Sequence, residues 1–181
     1  MEKFKNKKVI LGVTGGVAAY KAADFCSKLV KADAEVHVIM TKNALEFVGK
    51  ATFEALTHNP VRTSLFNEKD DFYPHLNASN KADIVIVMPA TANIIGKAAN
   101  GLADDLLSTI LISVSCPVIL CPAMNHRMWI NPVVQINTSR LKEFGFHFIY
   151  PEKGNLACGE EGVGRLANIQ TIFDECAKKI K

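Results

Sequence analysis

A chain of 181 residues, 49% of them apolar, is sized for one domain with a substantial core and needs no disulfide or metal staple to fold. Its formal charge of +3, from 21 basic and 18 acidic residues, is gathered largely at the ends, in Lys3-Phe4-Lys5-Asn6-Lys7-Lys8 and Lys178-Lys179-Ile180-Lys181, which excludes a nucleic-acid-binding stripe. The five cysteines are scattered without a CxxC pair, which argues against a disulfide framework or zinc site and for a reducing cytoplasm, while the absence of a signal-peptide core or membrane-length apolar run predicts a soluble protein.

In chain order, Val9 to Val13 reads as a first buried strand, followed by the turn Gly12-Val13-Thr14-Gly15-Gly16-Val17-Ala18 and a helix with Ala18, Ala22, Phe25, Cys26, Leu29 and Val30 on one face. Glu35 to Met40 is a second strand, and Thr41-Lys42-Asn43-Ala44 after it reads as a helix start. His58 to Asn80 is polar, turn-rich and long for a connection, and it contains His75 ahead of the helix-like stretch Leu76 to Ala82. Ile84 to Met88 is a third strand, running into Pro89-Ala90-Thr91-Ala92-Asn93, and Val118 to Cys121 is a fourth, running into Pro122-Ala123-Met124-Asn125-His126-Arg127-Met128-Trp129. A last strand near Phe146 to Tyr150 and a helix from about Asn168 complete the pattern. Between them Pro151 to Arg165, with four glycines, reads as a flexible lid. Nearly all-apolar strands alternating with helices predict a parallel sheet covered on both faces, so the expected architecture is a doubly wound α/β sandwich of three layers, flavodoxin-like or Rossmann-like, as a single domain over 1–181.

Ligands in such folds collect beyond the carboxyl ends of the strands, which directs attention to the segments just after each one. The glycine turn joins a strand to a helix N-terminus, a natural anion seat, although it is neither GxGxxG nor a P-loop and the glycines alone would also make a tight turn. Thr41 is placed to cap a helix, hold a phosphate, or both. Asn125 either faces the cleft or caps the next turn, with Met124, Met128 and Trp129 packing a core. The pair Asp104-Asp105 reads as an ordinary helix cap, since no His or Glu stands at ligand spacing to complete a metal shell. His75 is the candidate base, His37 and His147 look structural, and His58 and His126 are undecided. Cys158, between Ala157 and Gly159 on a polar segment, differs from Cys116 and Cys121, which read as buried thiols.

Taken together, Gly12 to Gly16, His75, Pro89 to Asn93, Pro122 to Trp129, Ala157-Cys158-Gly159 and Gly162-Val163-Gly164-Arg165 resemble the flavin-dependent cysteine decarboxylases, in particular those acting on 4′-phosphopantothenoylcysteine in coenzyme A biosynthesis. Two positions depart from the family's small-residue motif: Thr91 stands for a Ser and keeps the hydroxyl, and Ile94 stands for a Thr and loses it, so no binding role is carried onto Ile94. The resemblance implies FMN as cofactor, its phosphate near Gly15, Gly16 and Thr41 and its ring against Phe47, Pro89, Ala90, Thr91, Ala92 and Asn93. It implies a substrate site at Ala123, Met124, Asn125 and Arg165, with Asn125 holding the carboxylate, His75 as base or proton shuttle, Cys158 as proton donor, and no metal. The implied reaction oxidises the substrate thiol, loses CO2 from the resulting β-thiocarbonyl acid and reduces the enethiol that remains. Trimers, or dodecamers built from trimers, with shared flavin sites are implied as well, and the chain resembles the stand-alone form rather than a fusion to a synthetase. The competing readings are a peptidyl-cysteine decarboxylase of lantibiotic maturation, a flavin prenyltransferase of the same fold, and a non-catalytic regulatory flavoprotein.

Overall fold

A computed structural model describes residues 2–66 and 82–180. Five parallel strands, β1 (Lys8–Val13), β2 (Glu35–Met40), β3 (Ile84–Ala90), β4 (Val118–Pro122) and β5 (His147–Phe148), form one sheet in the order β2-β1-β3-β4-β5. Their apolar runs are continuous because both faces are covered. Val9, Leu11, Val13, Ile84, Ile86 and Met88 point into one core with Phe4, Phe25 and Phe173, whereas Ile10, Val85, Val87 and Leu120 point into the other with Ile94, Leu107 and Leu141.

The helices α1 (Ala19–Lys31), α2 (Lys50–Thr57), α3 (Ala92–Ala99), α4 (Leu106–Ser113), α5 (His126–Trp129), α6 (Pro132–Glu143) and α7 (Ile169–Ala177) flank this sheet. Gly12 lets α4 approach closely, since a Cβ there would lie 2.7 Å from Leu107 Cδ1. At the opposite end of the sheet, Asp83 accepts from the Lys8 N–H at 2.8 Å and from Lys7 Nζ at 3.1 Å, tying the start of β3 to the start of β1. Chain direction across the sheet reverses between β1 and β3, so the crevice beyond their carboxyl ends is the place where this topology leaves room for a ligand.

The single-domain, doubly wound α/β sandwich is as expected, and several elements differ in extent, among them β5, which takes up only His147–Phe148 of the stretch Phe146 to Tyr150. β3 and β4 run on through Pro89-Ala90 and Pro122, because their ends still pair, Ala90 opposite Pro122. The segment after Pro151 is no open loop. It forms an antiparallel hairpin of β6 (Glu152–Asn155) and β7 (Glu161–Arg165), its ladder satisfying the backbone groups that a glycine-rich lid would leave to water. No described helix is long and apolar enough to cross a membrane.

Candidate functional site

The floor of the crevice is built from the ends of β1 and β3. The buried Thr14 hydroxyl donates to the Pro89 carbonyl at 2.7 Å and accepts from the Thr91 N–H at 3.2 Å, which stitches the two strand ends together. The glycine turn follows, and Gly15 has no room for a side chain, since a Cβ there would lie 2.5 Å from Asn43 Cβ. Helix α1 then starts without a side-chain cap, and the Ala19 and Lys21 N–H groups of its first turn donate to the Gly16 and Ala18 carbonyls at 2.8 and 3.0 Å. Thr91 caps α3, accepting from the Ile94 N–H at 3.5 Å, whereas Thr41 makes no capping bond, so its hydroxyl is not used up locally.

A cavity of about 720 Å³ opens over this floor, within the size range of cofactor and substrate sites. Gly15, Gly16, Phe47, Thr91 and Ala92 line one side, Ala123, Met124 and Asn125 a second, and Cys158 and Arg165 reach in from the hairpin. Thr41 and Asn93 line an adjoining cavity of about 400 Å³ that shares Gly15, Thr91 and Ala92 with the first. Pro89 and Ala90 are buried in β3 and line neither, so their part is to shape the floor. His75 lies outside the described residues, as does the stretch around it.

Asn125 satisfies both readings of its sequence. Its Oδ1 accepts from the Arg127 N–H at 2.8 Å and caps α5, which turns Nδ2 toward the cavity, where it donates to Cys158 Sγ at 3.3 Å. The neighbouring apolar residues divide: Trp129 is buried edge-on against Tyr150, while Met128 is exposed and lines both cavities. Asp105 is a helix cap, its Oδ1 accepting from the Ser108 N–H at 2.8 Å and its N–H donating to Ser108 Oγ at 3.1 Å. Lys97, which lines the adjoining cavity, bridges Asp104 and Asp105 at 2.6 Å each.

The cysteines separate by environment. Burial pushes the Cys26 thiol up to about 12 and those of Cys121 and Cys176 up as well, which keeps them protonated and inert. Cys116, expected to be buried, is only half-buried, because it follows the end of α4 rather than lying within β4, and its thiol is also pushed up, chiefly by burial. Cys158 is exposed at the cavity.

Among the undecided histidines, His58 ends α2 in a left-handed conformation and His126 reaches the hairpin, its Nδ1 lying 3.0 Å from the Val163 carbonyl. Three site features escaped the sequence reading: Thr14, Lys21 and Tyr20. Lys21 and Tyr20 line the cavity from the first turn of α1, and their spacing from the glycine turn was the available signal. Arg165 pairs with Glu152 at 3.0 Å. The Asn168 N–H, then the Arg165 and Lys21 cations, hold the Glu152 carboxyl below its ordinary range against the opposing effect of burial.

The chain is 48% identical over 168 residues to a coenzyme A biosynthesis bifunctional protein CoaBC of Bacillus subtilis, covering 92% of this chain and 41% of that protein. It thus spans about two fifths of the length of the bifunctional relatives it matches. It is 36% identical over 177 residues to a probable phosphopantothenoylcysteine decarboxylase of Streptococcus mutans, covering 96% of this chain and 99% of that one. Its fold superposes with a TM-score of 0.84 and 31% identity on a Cys-to-Ser mutant of a PPC decarboxylase solved with pantothenoylaminoethenethiol, over 95% of this chain and 97% of that one. The Flavoprotein family model matches residues 1–181, and the chain belongs to the Flavoprotein family.

Proposed function

We propose that this chain is an FMN-dependent carboxy-lyase that converts 4′-phosphopantothenoylcysteine to 4′-phosphopantetheine in the cytoplasm, for coenzyme A synthesis. The observation that carries this reading is the 3.3 Å contact between Asn125 Nδ2 and Cys158 Sγ at one wall of the cavity, an amide donor and a thiol brought together from segments 33 residues apart. The likeness to decarboxylases along the whole chain supports the choice of substrate.

The residues present fit FMN. The glycine turn at the positive end of α1, which no side chain caps, and the Thr41 hydroxyl, unused as a cap, suit a phosphate, and Gly16, where a Cβ would meet no atom nearer than 3.7 Å, leaves open space above the floor. Thr91, Ala92 and Asn93 would offer short side chains to a flat ring, with Phe47 lining the same cavity as Thr91 and Ala92. When bound, FMN supplies a reversible sink for two electrons, so that the substrate carboxylate stands β to a C=S group at the moment CO2 leaves and the electrons return afterwards.

The protein's own groups do the rest. Asn125 holds the carboxylate with a neutral amide, orienting it without the charge pairing that would resist its departure. Cys158 delivers the proton to carbon in the closing reduction, and His75 serves as base or proton shuttle near the thiol and carboxylate. Lys21 and Arg165, the two cations on the cavity wall, take the substrate's phosphate end. Ala123 and Met124 pack against its body and exclude water. Val17, Tyr20, Phe47 and Met128, about half exposed around the cavity mouth, are covered by a second copy in a trimer, or a dodecamer of trimers, with shared flavin sites.

The purified protein is expected to be yellow with a flavin absorbance spectrum, and to release CO2 from 4′-phosphopantothenoylcysteine without added reductant. A flavin-loaded sample that leaves this substrate untouched but decarboxylates a peptide ending in cysteine would transfer the assignment to the peptidyl enzymes. One that acts on neither would end it.

A further inference from the structure

Four consecutive residues grip the hairpin, each at a different point. The Met124 N–H donates to the Gly164 carbonyl at 3.0 Å, Asn125 Nδ2 to Cys158 Sγ at 3.3 Å, His126 Nδ1 to the Val163 carbonyl at 3.0 Å, and Arg127 Nη2 to Glu160 Oε1 at 3.0 Å. Two glycines show how close the approach is: a Cβ at Gly162 would lie 2.6 Å from the His126 ring, and one at Gly164 would lie 2.2 Å from the Met124 carbonyl oxygen.

These ties are unequal. The Met124 bond is backbone to backbone and does not depend on its side chain. The Arg127–Glu160 pair joins groups 82% and 43% exposed, a setting in which ion pairs hold weakly. Asn125 and Cys158 belong to the proposed chemistry itself. The His126 bond is then the side-chain tie that is both partly buried and directed at the hairpin's backbone. A carbonyl only accepts, so Nδ1 carries a proton, and it does so whether or not Nε2 is also protonated.

We infer that His126 is a positioning residue: its imidazole, wedged under Gly162 and bonded to Val163, fixes the hairpin over α5 and so sets Cys158 against Asn125. Without that bond the hairpin keeps the Met124 backbone bond at Gly164, but the turn carrying Cys158 is left to two exposed side-chain ties, the Arg127–Glu160 pair and the Asn125 contact itself. Displacement of a reacting group by about 1 Å is enough to slow a reaction substantially. The consequence for turnover rests on the decarboxylase reading, whereas the consequence for the hairpin does not.

Two variants separate the hydrogen bond from the bulk of the ring. His126→Leu keeps a side chain under Gly162 and removes the donor, and His126→Asn restores an amide donor near the place of Nδ1. Hydrogen exchange of the FMN-loaded protein, followed by mass spectrometry, is expected to run about 3–10-fold faster over residues 152–165 in His126→Leu and to return toward the wild-type rate in His126→Asn. Turnover should follow the same order, with kcat lowered about 3–10-fold in His126→Leu and KM within about twofold. Unchanged hairpin exchange in His126→Leu would overturn the inference, as would a His126→Asn hairpin as loose as that of His126→Leu, or unfolding of both variants. Exchange that follows the expected order in a protein without decarboxylase activity would uphold the tie and refute the reaction.

Discussion

The floor of the cavity and the hairpin over it are held by different kinds of force. The floor is a continuation of the core: the ends of β1 and β3 are buried, and Thr14 locks them with two hydrogen bonds to backbone atoms. The hairpin is two short strands, largely exposed or half-buried, attached through the residues around Asn125. Damage to the floor should therefore appear as lost stability and lost flavin. Damage to the hairpin should leave a folded yellow protein that has lost its chemistry.

The largest effect is expected at Cys158. Cys158→Ser should retain fold, flavin and CO2 release but lose about 10²- to 10⁴-fold in formation of the saturated product, the typical contribution of a positioned proton donor. Product analysis by mass spectrometry should then find the enethiol accumulating in place of phosphopantetheine. Saturated product at the wild-type rate would remove Cys158 from its role. The comparison would break if this variant lost flavin, because hairpin and floor would then be one unit.

Gly164→Ala comes next and probes the attachment without touching a reacting group. The added methyl would meet the Met124 carbonyl oxygen at 2.2 Å, so β7 must move away from the segment carrying Asn125. A fall in kcat of about 10-fold or more is expected from the misplaced donor, with a melting temperature near that of wild type. A large loss of stability instead would show that the hairpin is part of the core. Thr14→Val tests the other side. It leaves the buried Pro89 carbonyl and Thr91 N–H without their partner, a cost of about 1–3 kcal/mol in denaturant melts, and it should weaken FMN binding measured by fluorescence recovery.

The sequence made the floor legible and misjudged the hairpin for one physical reason. Strands such as Ile84 to Met88 are buried on both faces and announce themselves as apolar runs, and capping residues such as Asp105 mark helix starts by their chemistry. Glu152–Asn155 and Glu161–Arg165 bury little, so no hydrophobic pattern marks them as strands. Their glycines invite a reading of freedom. Gly162 and Gly164 in fact serve close approach, one to the His126 ring and one to the Met124 carbonyl, and that need arises only from a partner more than 30 residues away in the chain. Asn125 was ambiguous between a cap and a cleft residue because its two polar atoms part company: Oδ1 caps α5, and Nδ2 meets Cys158 Sγ at the cavity. Thr14 was hidden among glycines whose conformational signal drew the attention.

Asp83 provides the smallest effect and the control for the whole comparison, since it lies at the far end of the sheet from both regions. Burial works to raise its carboxyl, but the Lys8 N–H and the Lys7 ammonium outweigh this and hold it below the ordinary carboxylate range. A group depressed in the folded state stabilises above its unfolded pKa, near 4 for an aspartate, and that contribution fades as acid protonates it. With side chains about one third exposed, the contribution is discounted to about 1 kcal/mol or less. Asp83→Asn should thus be less stable than wild type in urea melts at pH 7, and the gap should close as the pH falls through 4 toward 3. Flavin content and hairpin exchange should not change, because neither the floor nor the hairpin touches this corner. A variant that lost FMN here would mean that strain at one end of β1 and β3 reaches the other, and the separation of floor from hairpin would have to be redrawn around the sheet as a whole.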